Sequence, residues 1–193
     1  EHLYLFQPNY SWGDTRTTVL EFSWANGERG IELIGTGVVE GSLLNQFSAD
    51  EFDGRLRVAT TVSGFDANGI WTTTNRLSVL ENIDGSLNEV GAVDGFAAGE
   101  RIYSVRFDGD RAFVVTFRQV DPLFYIDLSN PTSPTIAGEL EVPGYSSYLQ
   151  VIGHDYLLAV GRNTNDFATK VALYNVADPA NPTLVDEESL PRW

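Results

Sequence analysis

Cysteine and methionine are both absent from the 193 residues, lysine occurs once, at Lys170, and histidine twice, at His2 and His154. The missing thiols exclude disulfides, thiolate catalysis and Cys-ligated zinc together. No apolar run approaches the ~18 to 20 residues that a membrane-crossing helix needs, so no transmembrane segment is expected. Twelve basic residues stand against 27 acidic ones, a formal net charge of -15. Phosphate backbones are held by clusters of Lys and Arg, so a nucleic-acid partner is not expected. Acid excess with almost no lysine suits high salt or a Ca²⁺-rich exterior, and a genome that favours Arg codons gives the same bias. Hydrolytic chemistry is poorly provided for: one histidine is at the terminus, the other is in a turn, and no Gly-x-Ser-x-Gly nucleophile motif occurs. Neighbouring carboxylates such as Asp50-Glu51 and Glu187-Glu188 point to opposite faces of a strand and do not form a glycosidase pair. No catalytic residue is therefore assigned.

What the chain does hold is 42% hydrophobic and 12% aromatic residues, enough for a sizeable core. Residues 101 to 144 set its pattern. Ile102 to Phe107 alternates apolar and polar residues, Asp108-Gly109 supplies a tight turn, and Ala112 to Phe117 returns. Leu123 to Leu128 is a third apolar run. Ser129-Asn130-Pro131 to Pro134 then forbids helix and ladder before a fourth strand, Ile136 to Val142. Four short antiparallel strands, A to D, in under about fifty residues make one β-propeller blade.

The pattern recurs. Tyr148 to Ile152, Tyr156 to Val160, Val171 to Val176 and Leu184 to Glu188 repeat A to D, and Pro131, Pro134 and Pro143 return at Pro179, Pro182 and Pro191, each 48 residues on. A looser copy runs from 44 to 95, with A at Phe47 to Phe52, B at Leu56 to Val62, C at Leu77 to Leu80 and D at Leu87 to Val93. Residues 1 to 41 hold a partial copy: Leu3 to Phe6, Thr18 to Trp24 and Ile31 to Val39 fit B, C and D, with no A before them. The sequence thus predicts an all-β fold, a partial β-propeller of about 3.75 four-stranded antiparallel WD-40-like blades in one domain over 1–193. The partial blade is 1–41 and the full ones are 44–95, 100–144 and 146–191. A plain antiparallel sandwich is the alternative, and the proline register argues against it.

Leu44 to Thr61 (Leu-Asn-Gln-Phe-Ser-Ala-Asp-Glu-Phe-Asp-Gly-Arg-Leu-Arg-Val-Ala-Thr-Thr), Ile102 to Phe107 and Val115 to Phe124 resemble the secreted proteins with a β-propeller domain distantly related to WD-40 repeats. The resemblance covers nearly the whole chain from about Leu44. It implies an exported propeller longer than this chain, sometimes joined to other extracellular modules, and it brings no catalytic residues. The truncated opening blade departs from a full domain. The chain starts at Glu1 and is read as a mature or excised piece. Its open first blade is expected to be completed by the remaining blades of a parent polypeptide or by a second copy of the chain. The expected location is secreted, extracellular.

Two groups of residues are candidates for function. Glu51, Arg106 and Gln150 take one equivalent position on three inner strands and are expected to line a central channel, as a ligand-reading ring or, more in keeping with buried charge, as a clasp between blades. Three long B-to-C loops, 7 to 14, 65 to 71 and 163 to 167, set aromatics beside Asp or Asn, and strand direction puts them on one face with the D-to-A connections. Tyr10, Trp12, Asp66, Trp71, Asp166 and Phe167 are accordingly candidates for stacking on, and hydrogen bonding to, a glycan or peptide. The alternative is that these aromatics fold down as loop cores. Asp66-Ala67-Asn68-Gly69 opens like an oxygen-rich Ca²⁺ loop, but residue 77, where a bidentate Glu belongs, is Leu. No metal ligand or cofactor is assigned, Ca²⁺ being the one ion these loops would suit. The expected function is a non-catalytic binding or scaffolding module; the rival is a Ca²⁺-dependent hydrolase or lyase with its site on the long-loop face.

Overall fold

A computed structural model describes residues 2–11, 14–24, 30–117, 121–142, 144–164 and 166–190. Among these, every regular element but one 3₁₀ turn, Gln46–Ser48, is a strand. The opening unit is β1 (His2–Ser11), β2 (Asp14–Ser23) and β3 (Glu32–Glu40). The second is β4 (Ala49–Phe52), β5 (Arg55–Phe65), β6 (Trp71–Ile83) and β7 (Ser86–Phe96). The third is β8 (Arg101–Asp108), β9 (Arg111–Phe117), β10 (Asp121–Asp127) and β11 (Thr135–Val142), and the fourth is β12 (Tyr145–Ile152), β13 (Tyr156–Arg162), β14 (Thr169–Asn175) and β15 (Thr183–Leu190). Within each unit the strands pair antiparallel in chain order.

Turn chemistry fixes these hairpins. Asp53-Gly54 and Asp84-Gly85 hold both turn residues at positive φ, the geometry that matches the twist of paired strands. In the third unit the turn residues are Gly109-Asp110, one later than the sequence indicates, and Asp108 faces Arg111 across the ladder. Between strands C and D, Asp127 and Asn175 accept from the backbone N–H two residues on, at 2.8 and 2.9 Å, and Asn130 and Asp178 do the same at 3.2 and 3.1 Å. The two proline-bearing connections are therefore copies in their hydrogen bonds as well as in sequence.

The middle units are buried on both sides. Along β9, Ala112 and Val114 point into a cluster shared with Ala59, Leu77 and Val79 of the second unit, while Phe113 and Val115 point into one shared with Leu149, Leu157 and Ala172 of the fourth. Alternation along one strand thus serves two interfaces. A third cluster joins Val19 and Val39 to Leu56, Val58 and Leu80. The outer faces of the end units have no such cover. Leu3, Leu5 and Leu33 are exposed on one, and Leu158, Val160, Val171 and Leu173 are only half-buried on the other. β1 pairs with β2 alone, so its other edge has no neighbouring strand among those described.

One junction recurs between units. A Cβ added to Gly91 of β7 would collide with the carbonyl of Pro131, and one added to Gly138 of β11 would collide with that of Pro179. Each proline-bearing connection is seated against the outer strand of the preceding unit. The second unit has the tight Asp84-Gly85 turn in that place, and its following strand reaches Gly37 directly, 2.6 Å from a built Cβ to Leu87 Cβ. Backbone then meets backbone: β3 and β7 form a two-residue parallel ladder, Thr36↔Ser86 and Gly37↔Leu87, which fuses the first two units into one seven-stranded curled sheet. The sequence reading has them as separate blades.

Arginines fasten the same junctions nearer the hairpin turns. Arg57 pairs with Asp50 across its own ladder, stacks between the Phe52 and Phe107 rings at 4.9 and 5.0 Å, and donates to the carbonyl of Gly109 in the next unit's turn. Arg111 pairs with Asp108 at 2.7 Å and donates to the carbonyl of His154, again in the next unit's turn, at 2.6 Å. Burial pulls the Arg57 guanidinium below its ordinary pKa, opposed by the Asp50 charge.

Candidate functional site

A cavity of about 470 Å³ opens where the β1–β2 and β5–β6 hairpins end and where the chain crosses from one unit to the next. Tyr10 and Thr15 come from the first hairpin, Ser63 and Trp71 from the second, Leu43 and Leu44 from the first crossing, and Arg101 from the start of β8. Its size suits a small ligand.

The local sequence explains the walls. The segment 7 to 14, read above as a loop, extends the hairpin instead, because β1 and β2 stay paired from His2↔Ser23 to Ser11↔Asp14. Thr15 to Thr18 supply β-branched residues that suit an extended ladder, and Asn9 is fixed to Thr18 by a 3.0 Å hydrogen bond. Tyr10 is thus carried on a strand, 76% exposed. Trp71 likewise starts β6, opposite Phe65, and the two rings meet edge to face at 5.1 Å. Packing against Phe65 orients the indole and leaves 52% of Trp71 open. Neither aromatic folds down as a loop core.

The hydrogen bonds lining the cavity are largely made. Thr61 exchanges backbone bonds with Ser42 at 3.0 Å each way, its hydroxyl donates to Asn75 and accepts from the Ile102 N–H, both at 3.1 Å, and Ser63 bonds Thr73 at 3.0 Å. Arg101 differs. It has no hydrogen-bond or ion-pair partner among the described residues, and its neighbour Glu100 is occupied by the Thr116 hydroxyl at 2.5 Å. Sequence reading missed Arg101, since an isolated arginine at a strand start carries no motif.

The other candidates lie apart from this cavity. Asp66 sits in the β5–β6 turn and accepts from the N–H groups of Asn68 and Ile70 at 2.9 and 2.8 Å. Those bonds, with the Ile70 one foremost, hold its carboxyl below the usual range, so its oxygens organise a turn. Asp166 does the same for the Ala168 N–H at 2.9 Å, on the fourth unit, beside an exposed Phe167 held at φ 57°. Trp12 lies outside the described residues. Among the described residues no group of three or more His, Asp or Glu is placed to hold a metal.

Of the three channel positions, two meet and one does not. Arg106 donates to the Leu149 carbonyl at 2.8 Å and reaches the Gln150 Oε1 at 3.5 Å, with the Phe47 and Tyr148 rings at 5.0 and 5.4 Å from its guanidinium carbon. Glu51 is instead 2.9 Å from His2 Nδ1. The alignment placed a carboxylate beside a guanidinium, but the third unit's turn is one residue later, so the ladder position of Arg106 corresponds to Asp50, and Glu51 turns to His2 of the first unit. Next to this pair, the buried Glu21 accepts from the Tyr4 hydroxyl at 3.0 Å and from the Asn82 amide at 2.6 Å. Burial, then the Glu21 and Glu51 charges, push the Tyr4 phenol well above its ordinary pKa.

Consecutive antiparallel units packed face on face, with the A–B turns and the proline connections at one end of their strands and the B–C hairpins at the other, define a partial β-propeller. A family model described as a beta propeller domain matches residues 1–192, and the chain belongs to that family. It is similar to an uncharacterized protein of Methanocaldococcus jannaschii, 44% identical over 164 residues, which are 83% of this chain and 25% of that protein. It is also similar to an uncharacterized protein of Archaeoglobus fulgidus, 47% identical over 152 residues, 79% of this chain and 22% of that one. The chain spans about a quarter of the length of these curated relatives. No helix is long and apolar enough to cross a membrane among the described residues.

Proposed function

We propose that the chain is a non-catalytic binding and scaffolding module of a larger, secreted β-propeller protein, with its ligand site in the cleft between the first three blades. The observation that carries this reading is the pairing of two largely exposed aromatics, Tyr10 and Trp71, in one cavity of about 470 Å³. An exposed aromatic costs solvation unless something covers it, and one held by packing loses little entropy on binding. The hydrolase or lyase alternative draws no support from the cleft, because none of its described lining residues is a carboxylate.

The partners are further blades of the parent polypeptide. The two uncovered apolar faces, the unpaired edge of β1 and relatives roughly three and a half times as long support this over a second copy of the chain. A groove of about 350 Å³ lined by Tyr4, Leu5, Phe6 and Leu43 lies between β1 and the crossing to the second unit.

The binding reading is tested on arrays of neutral and acidic glycans and of peptides, with the wild-type chain and Trp71→Ala. Loss of a stacked aromatic at the centre of a site costs about 2 kcal/mol or more, roughly 30-fold in affinity. The expected result is a set of wild-type ligands that the variant loses. Binding that ignores Trp71→Ala removes the cleft from the account.

A further inference from the structure

We propose that the cleft recognises a carboxylate-bearing sugar, a hexuronate unit within a glycan, with Arg101 holding the carboxylate and Trp71 or Tyr10 stacking on the ring. The proposal rests on the cleft being the binding site and adds the class of ligand.

Charge is the first reason. In a chain of net charge -15, arginines find acids readily: Arg55 reaches Glu81 at 3.3 Å, Arg76 reaches Glu89 and Asp94 at 2.7 and 2.6 Å, and Arg57 and Arg111 sit on Asp50 and Asp108. Arg101, Arg106 and Arg162 have no acid among the described residues; Arg106 is held by the Leu149 carbonyl, and Arg101 is the one that lines the cavity of about 470 Å³, although Glu100 adjoins it in sequence. Glu100 precedes β8 and is turned to the Thr116 hydroxyl. The cleft therefore presents a guanidinium whose planar fork is free for a carboxylate, and no described acid in the lining competes for it.

The body of the ligand follows from the remaining lining. Extended peptides are recognised chiefly through main-chain ladders. Here the backbone groups of Ser42 and Thr61 are bonded to each other, and the Ile102 N–H is held by the Thr61 hydroxyl. Recognition is left to side chains: two aromatic faces and the hydroxyls of Thr15, Ser42 and Ser63. A pyranose matches that set, since one face of the ring is C–H and stacks on a π surface while its rim carries hydroxyls. The volume, about 470 Å³, accommodates a short oligosaccharide segment.

Calorimetric titration of the chain with three probes tests the assignment: a hexuronate trisaccharide, the neutral hexose trisaccharide of the same linkage, and a tri-glutamate peptide. The hexuronate is expected to bind, and the neutral sugar to bind about tenfold or more weakly, the cost of a lost charge-assisted hydrogen bond. Arg101→Gln is expected to abolish that preference while leaving the melting temperature unchanged, because Arg101 is exposed and unpaired. Added salt weakens the hexuronate alone. Equal binding of both sugars, lost on Trp71→Ala but not on Arg101→Gln, would keep the cleft and overturn the acidic ligand. Tri-glutamate bound with the same Arg101 dependence would overturn the sugar. No binding of any probe would overturn this proposal and remove the glycan side of the cleft reading, which the peptide array tests separately.

Discussion

Arg57→Ala is expected to lower the stability of the chain by about 3 kcal/mol, the scale for removing one partner of a buried charge network. For a domain of this size that is roughly a 6 to 12 °C fall in melting temperature. The effect is large because three functions fail together. Arg57 is almost wholly buried, its Asp50 partner is 38% exposed, and the guanidinium is the sole link drawn from β5 to the Gly109 carbonyl of the next unit's turn. Removal leaves that carbonyl and two aromatic faces, Phe52 and Phe107, without their shared cover. Asp50 turns to water, so the penalty stays below that of a fully buried orphan. Arg111→Ala is the companion, since the same device joins the third unit to the fourth through His154. Thermal melts of the two variants and of Arg106→Ala, whose guanidinium is less enclosed, check the ranking.

Gly138→Val is expected to be as damaging for a different reason. Gly138 lies mid-strand beside a register shift of β11 against β10, and its φ is not in the left-handed region that would itself demand glycine. The sign of the change is set by packing alone. A Cβ there meets the Pro179 carbonyl, with Ala180 and Pro182 both 3.0 Å away, and these neighbours are backbone or ring atoms that cannot swing aside. Overpacking of this kind costs about 1 to 3 kcal/mol and forces the fourth unit away from the third. Gly54→Val is the informative contrast: nothing lies within 4 Å of its Cβ, so its cost comes only from holding a side chain at φ 71°. Chemical denaturation checks both, and a stabilised Gly138→Val would remove the seated proline connection from the account.

The parts of this fold that were legible in the sequence are the parts written in local chemistry. Alternation marked the strands, Asp-Gly pairs marked the hairpins, and the prolines at 131, 134, 179 and 182 set the repeat. Hairpin length was not legible at Tyr10 and Trp71, because Asn, Gly and Ser near a hairpin tip read as loop while cross-strand pairing continued through them. Inter-unit contacts were the other blind spot. Arg57 and Arg111 donate to carbonyls, which every residue has, and they stand at different ladder positions, Arg57 opposite Asp50 and Arg111 opposite Asp108 next to its turn, so no alignment pairs them. Gly91 and Gly138 gave no sign of their role, since the atom that excludes a side chain is some forty residues away in sequence. Glu51 and Arg106 do not share a register, because the third unit's turn falls one residue later and the ladder position of Arg106 is matched by Asp50; His2 lies next to Glu51 and takes the carboxylate.

Among the described residues the fourth unit shows neither device at its outward side. Asp186 stands 48 residues after Gly138, where the seated connection would press, and the β13 start carries Tyr156 in place of a clasping arginine. If a blade follows as proposed, the half-buried Leu158, Val160, Val171 and Leu173 are the apolar surface it would cover.

Hydrogen–deuterium exchange along β1, in this chain alone and in the longer parent polypeptide, tests most directly whether the array is open and completed from elsewhere. The account predicts that the β1 amides not bonded to β2 exchange freely in the monomeric chain and become protected in the parent. Full protection of those amides in the monomer, or no gain in the parent, would contradict it.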